Sequence, residues 1–397
     1  MSVVEQQIYT STAPQAAQAP DGITVLGVQF ASIASLFGPL HDRADLSLIH
    51  VNDWLNVWRG RNRVDRFGPP AGVDWQEWRF PPGWANRFAP WFMPNVARRI
   101  LRTWRQRGWR NPRLVITFPY FLPVARKIGL HRTLYYAVDN YQAFWPDRAA
   151  IVAAQEDELI RGAAAIVATS SLLADWFKTR VPASSDKIHY IPNGISPPML
   201  RPREAALEGP ARLQPRFAER FGDRTGPIVG HYSTIAPKYG VELLIATAER
   251  LPDFRFILMG QVVPGPPDHT EAIAHLSSLP NVVMTGHLKE PGSRNVLWQC
   301  DIMIITVPMD ELCIYTCPNR LWTFMATGRP IVSTPIPEVT KFGDLVYIGD
   351  SADDFVGALR AAAREHDRDR MIARIEIAKT HIWPVLADQM WSVLTLQ

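Results

Sequence analysis

Two short stretches put chemistry-bearing side chains where the chain pattern gives them something to act on. In CPNRLWTFMATGRPIVST, residues 317–334, Pro318 suits the first turn of a helix, Thr316 or Cys317 is placed to cap it, and Gly328 supplies the stop. The spacing predicts a helix over about 318–327, with Arg320 in its first turn. A cation among unpaired amide donors at the positive end of a helix is disfavoured by roughly 0.3–1 kcal/mol, unless an anion lies between them. The β-branched run RPIVST follows as a buried strand, so the stretch has the layout of a phosphate site in a βαβ unit. A surface carboxylate is the alternative partner for Arg320. The second stretch, TLYYAVD (133–139), ends a predicted strand on Asp139, at the carboxyl edge where open parallel sheets bind ligands. The competing reading of Asp139 is a turn cap in VDNYQ.

The elements that must hold these residues alternate twice. GITVLGV (22–28), LSLIHV, WQEWRF, RLVITF, TLYYAVD, AAIVATS and KIHYIPNGI read as strands, with a helix over RAAIVAAQEDELIRGA and a Ser-capped helix over SSLLADWFK. Prolines and charges in ISPPMLRPREAALEGPARLQP interrupt the pattern. It resumes with PIVGHYS (227–233), helix VELLIATAERL, strands FRFILMG and NVVMTG, helix RNVLWQC, strand DIMIITV, the Arg320 helix and PIVST. A single helix is predicted through DDFVGALRAAAREHDRDR, and HIWPVLADQMWSVL is an amphipathic last segment. The expected architecture is α/β, two doubly wound domains across a cleft. Its predicted parts are a tail over 1–20, a first domain over 21–200, a connection over 201–225, a second domain over 226–375, and a last helix over 376–397 returning to the first domain.

Composition narrows the class without choosing the chemistry. The chain has 397 residues, 47% hydrophobic and 20% charged, with net charge +4, too mild to require a nucleic-acid partner. Cys300, Cys313 and Cys317 form no disulfide framework and lack a histidine to complete a zinc set, so free thiols in a reducing compartment are expected. No run is long and apolar enough for a bilayer span and the N-terminus has no signal-peptide pattern, so the expected location is cytoplasmic, with a peripheral place on the membrane left open. That option rests on residues 84–113, where Trp84, Trp91, Trp104 and Trp109 alternate with eight arginines: a surface for anionic lipid, or a solvated basic helix with core tryptophans. Glu156, Asp157 and Glu158 read as a solvated acidic face, Asp310 and Glu311, before the Arg320 helix, either as contacts to sugar hydroxyls or as plain loop carboxylates, and Asp367–Asp369 as the end of a charged helix.

From Gly230 to Thr334 the order of HYSTIAPKYGVELLIATAERLPDFRFILMG, NVVMTGHL, MDEL and PNRLWTFMATGRPIVST resembles the donor-binding domain of GT-B glycosyltransferases. With YYAVD, QEDELIRGAAAIVATS and IPNGI the resemblance covers most of the chain. It is closest to bacterial exopolysaccharide transferases related to the family 4 enzymes and the xanthan glucuronosyltransferase. The resemblance implies a nucleotide-sugar donor, in first place a UDP-sugar, held by Gly230, His231, Tyr232, Ser233, Lys238, His287, Leu288, Asn319, Arg320 and Thr323. It implies a lipid-linked or polysaccharide acceptor near Gln29, Phe30 and Tyr141, and no metal or other cofactor. Tyr136, Phe144 and Trp145 are further aromatic candidates for stacking on sugars. The Glu-x7-Glu motif of retaining family 4 enzymes would fall on Tyr315 and Thr323, and neither is a glutamate. The resemblance therefore leans to an inverting mechanism with Asp139 as the general base. A sugar-nucleotide epimerase and a non-catalytic nucleotide-sugar-binding module remain as alternatives.

Overall fold

The computed structural model describes residues 19–53, 70–84, 89–236 and 240–396. Thirteen strands form two wholly parallel sheets. The first contains β1 (Gly22–Leu26), β2 (Asp45–Asp53), β3 (Asp74–Phe80), β4 (Arg113–Ile116), β5 (Thr133–Ala137), β6 (Ala165–Ala168) and β7 (Ile188–Tyr190), in the order β3-β2-β1-β4-β5-β6-β7. The second contains β8 (Ile228–Tyr232), β9 (Arg255–Met259), β10 (Val282–Gly286), β11 (Ile302–Ile305), β12 (Ile331–Ser333) and β13 (Tyr347–Ile348), in the order β10-β9-β8-β11-β12-β13. Both orders reverse beside their first strand, between β1 and β4 and between β8 and β11. Such reversals open a crevice at the carboxyl ends of the strands. Helices cover both faces, and β1, β4, β5, β6 and β11 are buried along their whole length, which is why they read as continuous apolar runs.

Three differences from the sequence expectations have local causes. A helix, Pro267–Ser278, separates β9 from β10; its proline-rich entry, VVPGPPD, hides it, although Pro267 sits at a helix start where the missing N–H costs nothing. The helix predicted through residue 370 is two. Ser351 and Asp354 form a capping box on Ala352–Ala362, and Asp367 then caps Arg368–Thr380 by accepting from the amides of Asp369 and Arg370. Glu156 is not on a solvated face but fully buried. It accepts from the Tyr135 hydroxyl (3.1 Å), Gln142 Nε2 (2.9 Å) and Arg180 Nη1 (3.1 Å), while Asp157 and Glu158 pair with Arg180 and Arg126.

Residues 201–225 carry two short helices whose Phe217 and Phe221 enter the second core together with Ile195 and Met199. The last helix, Trp383–Thr395, packs Leu386, Ala387, Met390 and Leu394 into the first core, and Arg43 pairs with its Asp388. The chain thus crosses between the domains twice. In the basic segment, Trp84 and Trp104 are core residues and Trp109 is partly buried, so only Trp91, 80% exposed, presents a tryptophan to solvent on the helix Ala89–Gln106. Among the described residues no helix is long and apolar enough to cross a membrane.

Candidate functional site

The carboxyl ends of the two sheets face each other across a cavity of about 480 Å3. From the first domain it is lined by Phe30, Ser32, Val138, Asp139, Phe144 and Asn193; from the second by Tyr232, Ser233, Thr316, Asn319, Arg320 and Thr323, among others. Asp139 and Arg320, singled out in separate halves of the sequence, therefore share one cleft.

The segment after β5 shows why Asp139 is chemically unusual. The turn is capped by its neighbour: Asn140 Oδ1 accepts from the amides of Gln142 (3.2 Å) and Ala143 (3.4 Å). Asp139 makes no hydrogen bond among the described residues, so the turn-cap reading belongs to Asn140. Burial without compensating donors disfavours the charged form and pushes the Asp139 carboxyl up to about 7. Behind it lies an aromatic cluster in which Phe118 stacks on Tyr120 at 4.9 Å and Tyr141 on Trp145 at 5.4 Å.

Across the cavity, the helix Asn319–Met325 is shorter than predicted. Pro318 precedes it, and neither Thr316 nor Cys317 caps it through a side chain. The Cys317 carbonyl instead accepts from Asn193 Nδ2 at 2.8 Å, a bond that joins the IPNGI turn of the first domain to the second. With only seven residues the helix contributes little dipole, and the positive charge of this wall is carried mainly by the Arg320 guanidinium. His231 lies behind it, 1% exposed, with neither ring nitrogen hydrogen-bonded. Burial first and the Arg320 charge second push its pKa down to about 3, so the ring is neutral at physiological pH.

The other predicted residues divide clearly. Tyr232, Ser233, Asn319, Thr323 and Phe30 reach the cavity. Gly230 does not: a Cβ there would meet Cys300 Sγ at 2.7 Å, so packing under the sheet explains this glycine. Tyr141 is a correction too, being buried with its hydroxyl donating to the Thr117 carbonyl (2.7 Å); Tyr136 is likewise a core residue. The sugar-stacking positions left open are Phe30 and Phe144, both exposed at the cavity. Gln29 donates to the Val51 carbonyl and is not in the lining; His287 and Leu288, after β10, are also outside it. Lys238 lies outside the described residues. Tyr315 packs on Trp176 of the first domain, with ring centroids 5.4 Å apart. Asp310 is occupied locally, accepting from the amides of Leu312 and Cys313. Cys300, Cys313 and Cys317 are buried free thiols. Sequence reasoning missed Ser32 and Asn193 as lining residues; the Pro-Asn-Gly turn was the available signal for Asn193.

Comparison with known proteins agrees with this geometry. The fold is that of solved GT-B structures: Anabaena Alr3699/HepE in complex with UDP superposes with a TM-score of 0.68 at 14% identity, covering 95% of this chain and 100% of that one. WaaG, described as a glycosyltransferase involved in lipopolysaccharide biosynthesis, superposes with a TM-score of 0.62 at 12% identity, covering 94% and 99%. The protein thus has the GT-B fold. Residues 226–365, within the second domain, match the family model of glycosyl transferases group 1. A curated relative, the putative teichuronic acid biosynthesis glycosyltransferase TuaH of Bacillus subtilis (strain 168), is 25% identical over 258 residues. That alignment covers 63% of this chain and 61% of the relative's own length.

Proposed function

We propose that the protein transfers a sugar from a nucleotide diphosphate donor, in first place a UDP-sugar, to a growing cell-surface polysaccharide or its lipid-linked precursor. The observation that carries this reading is the pairing of Asp139, unbonded and raised toward neutrality, with Arg320 on the opposite wall of one cleft. Asp139 takes the proton of the acceptor hydroxyl as that oxygen bonds to C1 of the donor sugar. The bond from C1 to the diphosphate breaks with its electron pair on the leaving oxygen, and the Arg320 guanidinium stabilises the charge that develops there. Attack from the Asp139 side inverts C1, and no metal is needed if Arg320 carries the leaving charge. Phe30 and Phe144 offer apolar faces to the acceptor sugar. UDP bound in HepE supports the donor, and the descriptions of TuaH in teichuronic acid biosynthesis and of WaaG in lipopolysaccharide biosynthesis support the setting.

The test is transfer by the purified protein from a panel of UDP- and GDP-sugars to a membrane lipid extract, with Asp139→Asn alongside. Transfer lost in that variant while donor binding remains supports the reading. A second reading, a module that binds nucleotide sugar without turnover, is favoured by one observation: the positions of the two missing glutamates hold Thr323 and a Tyr315 that is occupied in packing. Binding with no transfer in any combination selects it.

For the acceptor's setting, we propose that Trp91, Arg98, Arg102 and Arg105, exposed on one side of the helix Ala89–Gln106, dock on anionic lipid. Loss of vesicle binding in Arg98→Glu/Arg102→Glu, with transfer to a water-soluble acceptor intact, supports this; unchanged vesicle binding removes it.

A further inference from the structure

The second domain contains another large cavity, about 800 Å3, at the opposite edge of its sheet. Ile228, Arg255 and Ile302, at the starts of β8, β9 and β11, line it, as do Arg329 and Pro330 just before β12. It is therefore separated from the cleft by the length of the strands.

Its wall holds arginines that the fold leaves underpaired. Arg329 is 7% exposed; its Nη2 donates to the Ala206 carbonyl at 3.3 Å, and its Nε has no partner. Arg201 is 5% exposed, donates to the Gly209 carbonyl at 2.7 Å, and has Nε and Nη1 unpartnered. Burial first and the nearby Arg329 charge second push Arg201 down to about 10, against an upward pull from Glu208. Among the described residues neither forms an ion pair. The same domain shows how a structural buried arginine is treated: Arg374, with no exposure, is bidentate to Glu365 at 2.5 and 2.7 Å. The charges of Asp301 and Glu208 act on Arg329 and Arg201 without pairing with them, so buried guanidinium nitrogens are left unsatisfied beside a cavity, and an anion entering that cavity supplies the missing contact.

Two acidic residues share the wall. Glu365 holds Arg374, Arg370 and the Tyr347 hydroxyl, while Asp301 accepts from the Ile228 amide at 2.8 Å and lends its charge to both Arg329 and Arg255 without an ion pair to either. Arg255, whose Nε donates to the Gly226 carbonyl at 2.7 Å, and the exposed Arg368 add two more guanidiniums. Leu207, Pro210 and Met371 supply apolar wall.

We propose that this cavity is a second binding site, for a small phosphate ester, with Arg329 as the receiving guanidinium and Arg255 and Arg368 at its mouth. Arg201 sits behind Arg329 and adds field without contact. The inference stands on the second domain alone and does not depend on the transfer reaction proposed above.

The experiment is calorimetric titration of inorganic phosphate and pyrophosphate into wild type, Arg329→Met, Arg255→Gln and Arg320→Ala. Saturable binding at about 1 mM or tighter is expected in wild type and in Arg320→Ala. It should weaken at least about tenfold in Arg329→Met and in Arg255→Gln, since each removes a charge-assisted contact. Arg255→Gln serves on its own if Arg329→Met does not fold. No binding up to about 10 mM, or binding lost in Arg320→Ala and kept in Arg329→Met, overturns the proposal. Vesicles of phosphatidic acid in phosphatidylcholine separate the two sources of a phosphate ester. Capture that Arg329→Met alone abolishes assigns the site to a lipid headgroup, and phosphate binding without such capture assigns it to a soluble metabolite.

Discussion

Two carboxylates, one buried and one half-buried, flank the contact between the domains, and they are treated in opposite ways. Glu338, 1% exposed on the second domain, accepts from the Ser171 amide at the start of the helix Ser171–Arg180 (3.0 Å), from Lys341 Nζ (2.8 Å) and from the Tyr190 hydroxyl. Every one of those donors stabilises its charge, and two of them belong to the first domain. Asp139, on the first domain, has no such donors and faces the cavity. A carboxylate that ties domains together must be satisfied, because an unpaired buried charge would force them apart. One that is to accept a proton must be left in want of it, and desolvation raises its basicity to the range useful near neutral pH.

The comparison is broken most severely by removing the acceptor of the proton. Asp139→Asn should lower the rate of transfer about 10³-fold with nucleotide-sugar affinity changed less than about threefold, in steady-state kinetics against calorimetry. The same isosteric change at Glu338, to Gln, should leave the rate within about tenfold; an equal loss at both positions would erase the distinction. Truncating the latch tests the other half. Glu338→Ala should destabilise by about 1–3 kcal/mol, seen as a lower Tm, because the Ser171 amide and the Tyr190 hydroxyl lose their shared acceptor. Arg320→Ala should weaken donor binding by roughly 10- to 100-fold, matching the loss of one or two charge-assisted bonds of roughly 1.5 kcal/mol each.

The smallest effect follows from pH. The Asp139 carboxyl stands at about 7 in the folded chain against 3.8 when exposed. Folding therefore disfavours its ionised form: the cost is absent below 3.8, grows up to about 7, and is constant above. A shift of this size corresponds to at most about 4 kcal/mol, and less for a carboxyl still partly open to water. Asp139→Asn should accordingly raise the Tm by a few degrees at pH 8 and leave it unchanged at pH 3.5, while wild-type transfer increases as the pH rises through about 7. A Tm gain that does not depend on pH would mean that Asp139 is not held near neutrality.

Much of the architecture was legible because parallel strands buried on both faces produce apolar runs that local sequence displays directly; β1, β5 and β12 fall where GITVL, TLYYA and IVS predict them. The helix Pro267–Ser278 was hidden by its prolines, and the break before Asp367 by the helical composition on both sides of it. At the site, Arg320 was legible as a residue out of place in its helix, and Asp139 as a carboxylate at the end of a strand. Their rank among neighbours was not. Whether Asp139 or Asn140 caps the turn, and whether Tyr141 or Phe144 meets the cavity, depends on which way each side chain leaves a short helix after β5.

The sequence by itself determined the two alternating patterns, the strand end that Asp139 follows and the helix start that holds Arg320. Those are properties of periodicity and residue type, carried within a few tens of residues. Only the tertiary structure decided that Asp139 and Arg320 share a cleft, that Glu156 and Glu338 are buried and satisfied, and that Arg201 and Arg329 are buried with guanidinium nitrogens unpartnered. Burial and pairing are set by residues distant in the chain, such as Ser171 with Glu338, and no local window of sequence contains both partners.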